Sequence, residues 1–305
     1  MSAEPILSSG ELARLQRRSD ARGLRQLGGH LTAILLTGAL YAASPRVLAL
    51  PAALLYGFTL VTMFAAMHES IHRTAFARPG LNDAVAWFAG LLCFYNSDYY
   101  RHYHARHHRF TQIPGRDPEL AEPHPTTLPS YLLALSGLPW WRDQLRTYAL
   151  LALGETEDFP FLDGDAGDRV VTSVRWQLAV YAAAIAASIG SGRPFFFVYW
   201  LFPLVVAQPL LRAILFAEHA GCSEDDDPFA NTRTTQTLWP VRFLMWNMPY
   251  HAEHHRHPAL PFFALHAAHG RLAPRLRQVA RRGYLGVHRD FLDRLGLRRA
   301  GPGRV

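Results

Sequence analysis

Residues 47–72 read VLALPAALLYGFTLVTMFAAMHESIH, and the way this stretch is taken decides the fold. Val47–Met67 carries no charged side chain. A helix of about 20 apolar residues crosses a hydrocarbon core of ~30 Å. The run ends on His68-Glu69-Ser70-Ile71-His72, where two imidazoles four residues apart share one helix face. A span read here ends in a pair of metal-type ligands at its own mouth.

Working outward, three further apolar stretches appear: Leu27–Ala43, Trp176–Ile189 and Phe195–Ala217. The second and fourth stretches in chain order reach spanning length, while the first and third are short unless they tilt or recruit neighbours. Links this brief, Ser44–Arg46 and Gly190–Pro194, make the joined helices antiparallel neighbours. The expectation is an all-α integral membrane protein, with four transmembrane helices in two hairpins and a cytoplasmic helical cap holding a two-metal site. Both hairpins then return to the side that carries the Arg-rich ends, which the positive-inside rule makes cytoplasmic.

The reading divides the chain into a basic tail (1–26), a membrane domain (27–270) and a basic helical tail (271–305). Arg14, Arg17, Arg18, Arg22 and Arg25 precede an apolar stretch without a convincing cleavage site, so residues 1–26 are not read as a signal peptide. Ala84–Asn96 and Leu128–Trp141 are apolar but short or broken, and are expected to lie at the interface or against the bundle. Residues 223–236, with Glu224, Asp225, Asp226, Asp227 and Pro228, read as a loop. Only 18% of residues are charged, against about 25% in average soluble domains, so the chain is charge-poor outside its ends. The net charge of +7 suits anionic lipid, and no basic–aromatic motif points to nucleic acid. Two cysteines, Cys93 and Cys222, supply neither a disulfide framework nor a thiolate metal site.

Sixteen histidines demand a separate explanation. Besides His68 and His72, His104-Ala105-Arg106-His107-His108 and His251-Ala252-Glu253-His254-His255 repeat one spacing, in which the first ring aligns with both later ones on a helix. Pro249 is expected near the first turn of the last of these helices. His219, at the end of the fourth apolar stretch, makes nine. A structural zinc takes four ligands, so this number serves two ions. Imidazole alone suits zinc, copper, iron or nickel. Glu69 and Glu253 fall off the paired-histidine faces and are expected to be exposed or to support the ligands. His30, His102, His124, His257, His266, His269 and His288 default to surface or interface positions. His102 and His257 lie beside clusters and could support them.

With these residues, and with Tyr100-Arg101-His102-Tyr103, His108-Arg109-Phe110-Thr111-Gln112, Arg116-Asp117-Pro118-Glu119-Leu120, Asn231-Thr232-Arg233-Thr234 and Trp246-Asn247-Met248-Pro249-Tyr250, the sequence resembles the membrane fatty acid desaturase and hydroxylase superfamily over roughly residues 28–270. It looks like a bacterial branch, which includes relatives acting on amino-acid-derived small molecules. The resemblance implies a bacterial inner-membrane enzyme with both termini and the active site cytoplasmic. It also implies a non-haem centre of two iron ions, with O2 as co-substrate. His68, His72, His104, His107, His108, His251, His254 and His255 match the ligand boxes, and His219 the extra histidine after the last span. Leu215 stands where some branches place a water-linked asparagine. No cytochrome b5 motif is seen, so electrons are expected from a separate ferredoxin or cytochrome b5-like donor.

The expected reaction removes a hydrogen atom from an alkyl chain of a fatty acyl or related lipid-like substrate. Loss of a second hydrogen gives a desaturase; hydroxyl rebound gives a hydroxylase or ketolase on the same scaffold, and positioning decides between them. A non-enzymatic metal transporter would want polar residues through its spans, which are nearly bare. Asp98, Arg101, Glu218, Asn231, Arg233 and Asn247 flank ligands and are expected to orient them. Phe94, Tyr95, Trp140 and Trp141 are expected to wall the substrate tunnel. Arg212, two turns before His219, either faces the site from below or snorkels.

Overall fold

The computed structural model describes residues 6–121 and 124–296. Parts of both expected tails, residues 1–5 and 297–305, lie outside that range. The fold is almost wholly helical. A short α1 (Ser9–Leu15), closed by a Ser8/Glu11 capping box, leads into the 24-residue α2 (Asp20–Ala43), capped by Ser19. α3 (Ala49–Val61) and α4 (Met63–Ile71) follow as one rod, Arg46–Ile71, long and apolar enough to cross a membrane. The rod is interrupted at Thr62, whose hydroxyl donates back to the Phe58 carbonyl (2.7 Å). Beside the interruption the Thr59 carbonyl accepts from His30 Nε2 (2.9 Å), and His30 Nδ1 accepts from Trp246 Nε1 (3.1 Å). His30 is therefore fully buried and structural, contrary to its expected surface position.

α5 (Pro79–Cys93) starts on a proline and ends in the left-handed turn of Phe94. α6 (Ser97–Phe110), capped by Asn96, carries the second histidine cluster. The apolar stretch 128–141 is not one helix but two, α7 (Leu128–Ser136) and α8 (Leu138–Leu153), broken at Gly137, where φ is 78°. Beyond a loop, α9 (Asp165–Gly190) begins well before the expected Trp176, because its first turns are amphipathic and not apolar. A π-helical segment, Phe197–Leu201, runs into α10 (Phe202–His219). α9 and the rod Phe197–His219 also qualify as spans. α2 does not reach the same hydropathy, since Gln26, His30, Thr32 and Thr37 dilute it, although Leu35, Leu36 and Leu40 are exposed.

The remaining helices are small: α11 (Trp239–Leu244), α12 (His251–Arg256), α13 (Phe262–Leu272) and α14 (Gly283–Arg294). Pro249 lies ahead of Tyr250, the N-cap of α12, and not in its first turn. A two-residue parallel pair, β1 (Thr234–Thr235) with β2 (Val279–Ala280), is the departure from an all-α chain among the described residues. The principal apolar core runs through α3, α4, α5, α9 and α10 and ends beneath the histidines.

Candidate metal centre

Four segments deliver the rings. α4 and its C-cap bring His68 and His72; α6 brings His104, His107 and His108; α10 ends on His219; α12 brings His251, His254 and His255. In the structure they sort into two sets. The nitrogens of His68, His72, His104, His108 and His254 lie within 4.8 Å of one another, as do those of His107, His219 and His255. His251 joins the second set, its Nε2 3.1 Å from both His219 Nε2 and His255 Nε2.

In the second set three of the four tautomers follow from what holds the other nitrogen. His107 Nδ1 donates to Asp117 (2.9 Å) and His219 Nδ1 to the Asn231 carbonyl (3.1 Å). The Thr111 hydroxyl donates to the His107 carbonyl (2.9 Å), which leaves its oxygen to accept from His255 Nδ1 (3.1 Å). With Nδ1 protonated in all three, their Nε2 lone pairs converge. In the first set, His104 Nε2 faces His68 Nε2 at 2.7 Å and His108 Nε2 at 3.0 Å, and His108 faces His254 at 3.1 Å. His72 Nε2 is buried without a partner. Lone pairs meeting at such distances repel unless a cation sits among them. Ligands ~2.1 Å from one ion and at right angles to each other lie ~3 Å apart, the spacing of these edges. The donor set therefore fits a pair of ions.

Burial and mutual charge hold His104, His108, His251, His254 and His255 well below the ordinary imidazole range. His72 is lowered to about 4, by burial and then by Arg101 and His107. Neutral rings are what coordination requires. For His107 burial pushes the same way, but Glu119 and Asp117 outweigh it and leave its value raised.

Glu69 and Glu253 are both fully buried, so neither takes the exposed position. Glu69 Oε1 lies 3.9 Å from both His68 Nδ1 and His254 Nδ1, between two boxes but beyond hydrogen-bond distance of either ring. Glu253 accepts from the Thr234 hydroxyl and pairs with His269. Glu218 Oε2 is 3.5 Å from His251 Nε2. Arg233 donates to the Ala217 and Ala220 carbonyls and so secures the end of α10 under His219. Arg101 pairs with Asp83 (2.6 Å). Asp98 instead lines a lateral groove with Arg169 and Trp176, and Asn247 bonds the Phe262 carbonyl; the structure does not bring these two to the rings. Residue patterns missed Asp117, Thr111 and Glu119. All three lie in stretches that carry the family resemblance, 108–112 and 116–120, and the further signal was a pair of acids, ten and twelve residues after His107, in a basic segment.

Beside both sets lies a cavity of about 400 Å³, touched by His68, His104, His219 and His251. Tyr95 and Trp140 line it. Phe94 and Trp141 are not in its wall: Phe94 stacks on Tyr148 (4.9 Å) and Trp141 packs on Phe94 (5.2 Å). Tyr100 stacks on His104 at 5.1 Å. Arg212 faces this cavity, and does not snorkel.

Residues 45–288 match the model of the fatty acid desaturase family. Over 215 residues (67% of the chain, 57% of the relative) the sequence is 27% identical to a sphingolipid delta(4)-desaturase DES1-like protein of Arabidopsis thaliana. It is 26% identical over 210 residues to a protein of the same description from Oryza sativa subsp. japonica (65% and 56%). An sn-1 oleoyl-lipid 12-desaturase of Picosynechococcus sp. is 32% identical over 110 residues, 34% of the chain and 32% of the relative. The chain thus spans little more than half the length of the two plant relatives it matches.

Proposed function

The chain belongs to the fatty acid desaturase family, and from that premise we propose that it is an O2-dependent di-iron oxidoreductase placing a double bond in an aliphatic, lipid-like chain. The observation that carries the reading is the sorting of nine histidines into two converging sets beside one cavity. Two iron ions held there, one by His68, His72, His104, His108 and His254 and the other by His107, His219, His251 and His255, would supply O2 reduction and hydrogen-atom abstraction.

The protein's own residues do the rest. Asp117, Thr111 and the Asn231 carbonyl hold three rings with Nε2 inward. Phe64, Tyr100 and Met248 give the cavity apolar wall against the rings, which excludes water and holds an alkyl segment in one pose. Electrons enter from a separate ferredoxin or cytochrome b5-like donor. We assign α2 as a fourth span paired with the Arg46–Ile71 rod, opposite the hairpin of α9 and α10, with α6 and α12 capping the site on the cytoplasmic side.

The test is purification from iron-fed cells followed by metal analysis and mass spectrometry of lipids and metabolites. About two irons per chain and a product lighter by two hydrogens are expected. A product heavier by one oxygen would replace desaturase with hydroxylase. Chains with one metal or none, or full activity in His107→Ala, would overturn the reading.

A further inference from the structure

Arg212 is a cation in the middle of a candidate span, a place where a guanidinium is costly and has a job by default. Its Nη2 donates to the Tyr95 hydroxyl (2.6 Å), and its guanidinium carbon sits 5.1 Å from the centre of the Trp140 ring. Both partners are neutral. Its Nε is buried without a partner, and among the described residues no carboxylate lies within ion-pairing distance, although Glu119 and Glu218 line the same cavity. Glu119 sits with His104 and His107 and Glu218 with His251, while a third acid lining the cavity, Asp143, is paired with Arg142. Among the described residues the cavity therefore holds one under-used cation with no ion pair to the acids that share its wall. Arg212 precedes His219 by seven residues, nearly two full turns, so it shares that ring's face about 10 Å down the helix.

Resting on the desaturase reading and deepening it, we propose that Arg212 anchors the head group of the substrate, which is an alkyl carboxylate and not a neutral lipid chain. One guanidinium offers a planar fork that matches a carboxylate, and its single charge balances a single negative one. A phosphate dianion would be left half-compensated in a cavity that already holds three acids, Glu119, Asp143 and Glu218. A volume of about 400 Å³ is near the small end of the ~300–1,000 Å³ seen for small-molecule sites, which favours a free compact acid. The carbons attacked then lie on the order of 10 Å from the carboxylate.

Binding to chelator-treated, metal-free full-length protein in nanodiscs tests this independently of turnover. The probes are octanoate, methyl octanoate, octanol, octylamine and octyl phosphate, measured by calorimetry. Octanoate should bind about ten-fold or more tightly than the ester and the alcohol. Arg212→Gln should erase that preference, and Arg212→Lys should keep part of it, showing that a folded variant responds to charge. Equal binding of ester and acid would overturn the proposal, as would a preference surviving in Arg212→Gln. Tighter binding of octylamine would assign the cavity to the acids, and tighter binding of octyl phosphate would sink the carboxylate assignment. Because no metal is present, failure of the di-iron reading would leave the carboxylate preference intact. Iron-loaded protein that shows no such preference would fail this proposal alone.

Discussion

His107, His219 and His255 each spend Nδ1 on an oxygen, and the three oxygens come from different chemical groups: a carboxylate, a carbonyl and a hydroxyl. The carboxylate is the strongest acceptor and can be removed alone. Asp117→Asn should cut metal affinity or activity about 10- to 100-fold while leaving the helices intact, read by competitive chelation and circular dichroism. The ligand histidines were legible because their spacing is local. Asp117 was not, because it reaches His107 across a loop whose path no periodicity encodes. Of the two expectations for Glu69, the exposed one fails for a related reason: a single helix shows it off the histidine face, but His254 of α12 lies over that side and Glu69 is buried. Asp83 shows the pH behaviour of the surrounding surface. Burial opposes its charge, yet hydrogen bonds and charge from Arg73 and Arg101 hold its carboxyl below the ordinary range. Its contribution is present at neutral pH and lost as pH falls through that lowered value. Asp83→Asn should therefore melt earlier than the parent at pH 7, and the gap should narrow as pH falls below the ordinary carboxylate range in a thermal-unfolding series.

Helix packing sets the depth of the site. A Cβ on Gly57 would collide with the Pro203 carbonyl and the Ala207 methyl, so α3 and α10 touch backbone to backbone here. Gly57→Ala should destabilise the protein by about 1–3 kcal/mol, with a lower midpoint in detergent unfolding, because the two helices must part. At the other end of α10, Arg233→Ala leaves two buried carbonyls without their donor, at about 1–3 kcal/mol each. Its signature should be selective release of metal from the set containing His219, followed by metal stoichiometry. The apolar rods were readable from hydropathy. The break at Gly137 was readable too, since Pro129, Gly137 and Pro139 interrupt that stretch, but the long reach of α8 was not, because Arg142, Asp143 and Arg146 put polar residues on a helix whose other face is covered. The early start of α9 was hidden in the same way.

Across the whole molecule, exposed apolar side chains girdle the rods: Leu35 and Leu36 on α2, Val47 beside α3, Trp176 and Ile189 on α9. Such a belt needs lipid around it. Single cysteines introduced at Arg46 and at Gly192 should label from one side of a sealed vesicle, and one at Arg256 from the other. Labelling of all three from one side would remove the two-hairpin topology. The nine rings come from stretches spread between residues 68 and 255, and neither set is complete until its last members, His254 and His255, have been synthesised. A polypeptide cut short upstream of residue 254 keeps all three long apolar helices but lacks part of both sets. Convergence of the rings thus comes only after all three of those helices have been made.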